Sequence, residues 1–173
     1  MADAANYSAV GALRDGRRLE IRAFRPSDRA DLESAVGQIG TQSLYRRFFT
    51  VKRNFSQKER DFFLNVDFVG HVALMAWVEE SGQKVIVGGG RYVVVQPGTA
   101  EVAFAVVDKY QGQGVGAALM RHLAAIARDA GLKELIAEVL SENAPMLRVF
   151  EKSGLPMTTT READVVQVGL RLN

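Results

Sequence analysis

The segment EVAFAVVDKYQGQGVG, residues 101–116, restricts the fold of this chain more than any other stretch. Residues 102–107 form an unbroken apolar run with the β-branched and aromatic content of a buried strand. A mostly polar connector, residues 108–111, leads to Gly112, Gly114 and Gly116, spaced two apart. Behind them Val115, Ala118, Leu119, His122, Leu123 and Ile126 recur at helical spacing. The order is strand, glycine-rich turn, helix. The first N–H groups of such a helix have no intrahelical partners. Small residues let an anion approach them, and the aligned peptide dipoles favour negative charge there. The segment reads as a phosphate-binding turn.

Spacing separates the known phosphate turns. A nucleotide P-loop ends in Gly-Lys-Ser/Thr, whereas Gly116 is followed by Ala117 and Ala118. The dinucleotide pattern G-x-G-x-x-A is met by Gly112, Gly114 and Ala117. It requires the strand to run almost directly into the first glycine, however, and the 57 residues after Gly116 are few for a doubly wound sheet. The pattern Q/R-x-x-G-x-G/A is met by Gln111, Gly114 and Gly116. With a strand before it, a helix behind it and NAPMLRVFEKSGL at residues 143–155, the chain resembles the GNAT acetyltransferase superfamily. That superfamily holds the pyrophosphate of acetyl coenzyme A on such a turn.

Composition narrows the classes further. The chain has 173 residues, 47% of them hydrophobic and 24% charged, as expected of a globular domain. A net charge of +2 gives no strong pull towards nucleic acid or membrane. Without cysteine there is no disulfide, thiolate metal site or thiol nucleophile, and two histidines make a classical zinc site unexpected. The N-terminus lacks the basic region and apolar core of a secretory signal. We expect a cytoplasmic, metal-free protein.

Read in order, residues 1–12 are expected to be disordered and residues 13–173 to form a single domain. Asp15-Gly16 marks a turn into an alternating strand over residues 19–24. Ser27 or Asp28 caps a helix ending near Gly37 and Gly40. A short helix is expected over residues 43–49, and another from Ser56, where Glu59 completes a capping box. Strands follow at residues 71–79 and 85–95, the second interrupted by Gly88-Gly89-Gly90, which indicates a bulge or a close backbone approach. After the central strand and long helix come a strand at 132–140, a helix from Asn143 and a terminal hairpin, residues 156–160 and 165–172. The expectation is an α/β fold: a mixed, mostly antiparallel sheet of six to seven strands with helices on both faces.

The family resemblance adds a splay between the two central strands, with the pantetheine arm of acetyl-CoA lying between them. It implies that the backbone of Phe104, Ala105 and Val106 pairs with pantetheine and that the turn Gln111, Gly112, Gln113, Gly114, Val115, Gly116 and Ala117 takes the pyrophosphate. Asn143 would orient the arm or simply cap its helix. Acetyl transfer needs a neutral amine, and free lysine titrates near ~10.4, so a base is required. Glu101, an acid at the start of an apolar strand beside the acetyl site, is the candidate, with a surface glutamate as the plain alternative. Phe150 stands where many members carry a tyrosine acid, so no general acid is assigned. With no thiol to carry the acetyl group, transfer is expected to be direct, in a ternary complex. Tyr110, His71 and His122 are read as packing or surface residues.

Residues 21–28, 43–49 and 101–106 further resemble bacterial protein lysine acetyltransferases. Those enzymes modify the catalytic lysine of AMP-forming acyl-CoA synthetases, which makes such a synthetase the implied partner of a monomer or homodimer. Their synthetase-like or cyclic-nucleotide-binding domains have no counterpart expected within these residues. Two alternatives remain: a GNAT enzyme for a small amine or protein N-terminus, and a non-catalytic acyl-CoA-binding module.

Overall fold

A computed structural model describes residues 4–37 and 66–172 of the chain. Within them lie β1 (Ser8–Ala12), β2 (Arg18–Ala23), α1 (Arg29–Gly37), β3 (His71–Glu80), β4 (Gln83–Gln96) and β5 (Thr99–Val106). Then follow α2 (Val115–Asp129), β6 (Glu134–Leu140), α3 (Ala144–Glu151), β7 (Met157–Glu162) and β8 (Val165–Arg171). The strands form one sheet in the order β1-β2-β3-β4-β5-β6-β8-β7. Only β5 and β6 pair parallel; the other neighbours are antiparallel. The mixed α/β expectation holds, with eight strands instead of six or seven. The helices expected at residues 43–49 and from Ser56 lie outside the described residues.

The additional strand corrects the expectation of a disordered N-terminus. Ser8–Ala12 pairs with β2 in the register Ser8↔Arg22 to Ala12↔Arg18. Gly16, at φ +93°, supplies the left-handed turn that folds the two strands together. Ahead of β1, Tyr7 is anchored to α2 by a 2.5 Å hydrogen bond between its hydroxyl and His122 Nδ1. The sequence SAVGA has neither alternation nor aromatic content, so its strand character rests on pairing with β2 across the Gly16 turn and on the Tyr7–His122 anchor.

The core is seated where α2 crosses β4. Leu119, Leu123 and Ala127, one face of α2, are fully buried. The glycines of β4 let that helix approach. A Cβ on Gly88 would stand 2.8 Å from Val115 Cγ1, and one on Gly90 would stand 2.7 Å from Phe104 Cδ1 and 2.9 Å from Leu123 Cδ1. Beside them the β3–β4 register shifts between Ala76↔Gly88 and Trp77↔Ile86, leaving Val87 as the extra residue of a bulge. Both anticipated reasons for the glycine run are therefore present.

The feature that positions the site is the parting of β5 from β6. They pair only at Thr99↔Glu134, Ala100↔Leu135 and Glu101↔Ile136. Beyond that rung β5 stays with β4, as the hydrogen bond from Val107 N–H to the Val87 carbonyl shows, while β6 stays with β8 up to Leu140↔Val165. Each strand follows its antiparallel partner, and a gap opens between them.

Candidate active site

The gap is a cleft of about 460 Å³, walled by residues 102–106 of β5, residues 137–139 of β6, the start of α2 and α3. Strand phase decides what β5 presents to it. Val107 bonds to Val87, and Ala105↔Gly89 is in the same phase, so the peptide groups of Ala105 are directed to β4. Those of Phe104 and Val106 face the gap. A buried backbone donor or acceptor left unpaired is costly, so these groups suit a ligand that brings amides of its own. The side chain of Phe104 turns under α2, where its ring packs against Phe150 at 5.9 Å.

At one end of the cleft is the glycine turn. A 3-10 turn, Asp108–Tyr110, follows β5, and the amides of Gln111 and Gln113 are closed onto the carbonyls of Asp108 and Tyr110. Gly112 (φ +83°) and Gly114 (φ +90°) are left-handed, and a Cβ at either would meet nothing within 4 Å. Gly114 is the N-cap of α2 and has no side chain to cover the helix end. The first closure of that helix is Ala118 N–H to the Gly114 carbonyl. Amides of Val115, Gly116 and Ala117 ahead of it have no i−4 carbonyl in the helix. This is an anion-receptive helix start opening on the cleft.

Of the residues expected at the site, Phe104, Ala105, Val106, Gln111, Gly112, Gly114, Val115, Gly116, Ala117 and Asn143 line the cleft. Gln113 does not: its carbonyl accepts from Arg14 N–H at 3.1 Å and its Oε1 from Asp15 N–H at 3.2 Å. It ties the turn to the β1–β2 hairpin. Asn143 lines the cleft and caps α3, its Oδ1 accepting from Met146 N–H at 3.2 Å.

Glu101 lies outside the cleft lining and is exposed. It occupies the last paired rung of β5 and β6, opposite Ile136. By strand alternation its side chain points away from the α2 side, where the Val102 and Phe104 side chains are buried. Glycine turn and carboxylate thus stand on opposite faces of the sheet, with the gap between them.

Tyr110 is buried beside the turn, its hydroxyl bonded to Glu80 and, at 3.4 Å, to Arg17 Nη1. Burial and then the Glu80 contact raise its pKa. His71 is buried against Arg91 at 2.9 Å, and His122 is held by Tyr7; neither lines the cleft. Sequence reasoning missed three cations of the lining, Arg14, Arg148 and Lys152. For the last two the signal was available: they are four residues apart on a helix that begins at Asn143. Among the described residues no group of metal-ligating side chains exists.

Comparison with known proteins gives a consistent result. The Acetyltransferase (GNAT) family matches residues 39–155. An acetyltransferase of Pseudomonas aeruginosa is 31% identical over 138 residues, 79% of this chain and 74% of that protein. Acetyltransferase Pat of Mycolicibacterium smegmatis is 29% identical over 145 residues, 82% of this chain but 42% of Pat. Among solved structures, the GNAT domain of S. lividans PAT superposes with a TM-score of 0.85 at 34% identity, covering 95% of this chain and 96% of that domain.

Proposed function

The chain belongs to the GNAT acetyltransferase family, and on that premise we propose that it moves acetyl from acetyl-CoA directly to the side-chain amine of a protein lysine. The likeness to Pat and to the PAT domain supports a protein acceptor, and we extend it to the catalytic lysine of an AMP-forming acyl-CoA synthetase. The observation that carries the reading is the parting of β5 and β6 after the Glu101↔Ile136 rung, beside the open start of α2.

In this reading the pantetheine arm replaces the missing β6 partner, exchanging hydrogen bonds with the free peptide groups of Phe104 and Val106. The Nδ2 of Asn143 donates to the same arm. Amides of Gly112 and of Gly114, Val115, Gly116 and Ala117 receive the pyrophosphate. These residues fit the donor because its two amides lie on the thioester side of its pyrophosphate, the order in which the cleft offers strand peptide groups and then the amides of the α2 start. The thioester then lies near the rung where the strands part.

The acceptor approaches from the opposite face, where Glu101 stands. Its carboxylate takes a proton from the lysine ammonium, directly or through water. The amine nitrogen bonds to the thioester carbon as the C–S bond breaks, the thiolate leaves with the electron pair, and the nitrogen sheds its second proton to solvent to give the neutral amide. With Phe150 in place of a hydroxyl donor, solvent protonates the sulfur. A thiol with a pKa near ~8.5 is a tolerable leaving group.

Incubation with labelled acetyl-CoA and a purified AMP-forming synthetase, followed by peptide mapping, tests the proposal. Label is expected on the synthetase's catalytic lysine. Label on small amines or N-termini only would refute the protein-lysine reading.

A further inference from the structure

The phosphate turn lacks a free cation of its own. Between Asp108 and Ala117 the one basic residue is Lys109, and its Nζ is paired with Glu80 at 2.9 Å. The start of α2 offers amides and a helix dipole equivalent to about half an elementary charge. A doubly ionised pyrophosphate is therefore left under-neutralised by the turn alone.

The β1–β2 hairpin brings a cation to that place. Arg14 N–H donates to the Gln113 carbonyl at 3.1 Å, and Asp15 N–H donates to Gln113 Oε1 at 3.2 Å. The hairpin tip is thus pinned to the residue between Gly112 and Gly114. Arg14 lines the cleft. Its neighbouring carboxylate, Asp15, is engaged by Arg17 through bonds of 2.8 and 3.0 Å, and Arg17 also reaches Tyr110 at 3.4 Å. Among the described residues no carboxylate is paired with Arg14. The backbone fixes where it starts, while its side chain is left to the cleft.

From this geometry, and resting on the acetyl-CoA reading above, we infer that Arg14 is a binding residue for the donor's pyrophosphate. A guanidinium presents a planar fork of donors that matches two phosphate oxygens at once. The N-terminal hairpin is then a wall of the donor site, and Gln113 is the positioning residue that docks it. Arg148 and Lys152 belong to α3 and its C-cap, on another wall of the cleft.

The test compares wild type, Arg14→Ala and Arg14→Lys. The alanine variant keeps the backbone N–H that docks the hairpin, so the loss it reports belongs to the guanidinium. Calorimetric affinities for acetyl-CoA and for acetyl-3′-dephospho-CoA are both expected to fall about tenfold or more in Arg14→Ala, the scale of a lost charge-assisted hydrogen bond. Arg14→Lys should recover part of that loss. Turnover of S-acetylpantetheine, which has no phosphate, should stay within about twofold in kcat/KM. Unchanged affinity for acetyl-CoA would overturn the inference. A loss confined to the donor carrying the 3′-phosphate would also overturn it, as would an equal loss with S-acetylpantetheine. Wild-type protein that binds no acetyl-CoA would remove the underlying donor reading itself.

Discussion

Gly114→Trp separates the cost of backbone strain from the cost of filling the anion site. At φ +90° a non-glycine residue loses about 1–2 kcal/mol. For a domain of this size that lowers Tm by about 2–8 °C. A Cβ at Gly114 meets no atom within 4 Å and Gly114 lines the cleft, so the indole is expected to fill the space before the α2 amides. Losing two charge-assisted hydrogen bonds to the pyrophosphate costs about 3–6 kcal/mol, or roughly 10²–10⁴ in Kd. Gly98→Trp is the matched control: its φ is +81°, its Cβ also meets nothing within 4 Å, and it lies at the other end of β5. Both variants should show native far-UV circular dichroism and similar Tm losses, while only Gly114→Trp loses acetyl-CoA in calorimetry. Equal acetyl-CoA affinities in the two variants would refute the phosphate-turn assignment.

Three further outcomes follow from the same structure. Glu101→Gln should lower kcat by about 10²–10⁴ at saturating lysine acceptor, with acetyl-CoA affinity nearly unchanged; a kcat within about threefold of wild type would exclude proton removal. Gly90→Val must displace the Phe104 ring and Leu123 and should destabilise by about 1–3 kcal/mol, read as a lower urea midpoint at constant slope. Burial, then nearby Arg121, lowers the pKa of His122 below 6.5. Stability should therefore be full above pH 6.5 and decline as pH falls from there through the lowered folded value, because the unfolded chain binds the proton first; His122→Gln should flatten that slope in pH-dependent urea titrations.

Local signals carried much of the fold. The glycine turn and α2 were legible because strand, left-handed glycines and helical period lie within one short stretch. Asn143 was legible as a cap, and Gly88 and Gly90 as points of close approach. What escaped leaves no pattern in the local sequence. β1 is defined by β2 and by the Tyr7–His122 contact, and the insertion of β8 between β6 and β7 has no local signature. Gln113 looked like a member of the phosphate turn by spacing, yet its side chain and carbonyl serve the hairpin. That docking is also why Arg14, an ordinary residue beside a turn in the sequence, reaches the cleft.

The two faces of the sheet give the site its direction. A donor held at the start of α2 and between β5 and β6 presents its thioester at the gap, because the strands are closed again at Glu101↔Ile136. Nucleophilic attack on a thioester comes from above or below the carbonyl plane. The α2 face of β5 is filled by Val102 and Phe104 under the helix, so the proposed mechanism has the amine enter from the other side. Glu101 is the acid that β5 directs to that side, at the rung nearest the opening. In the proposed mechanism an exposed carboxylate there first attracts the ammonium and then takes its proton, directly or through a water. If Glu101 both orients the ammonium and removes its proton, the two uses separate kinetically: loss of the first raises KM for the protein acceptor, and loss of the second lowers kcat.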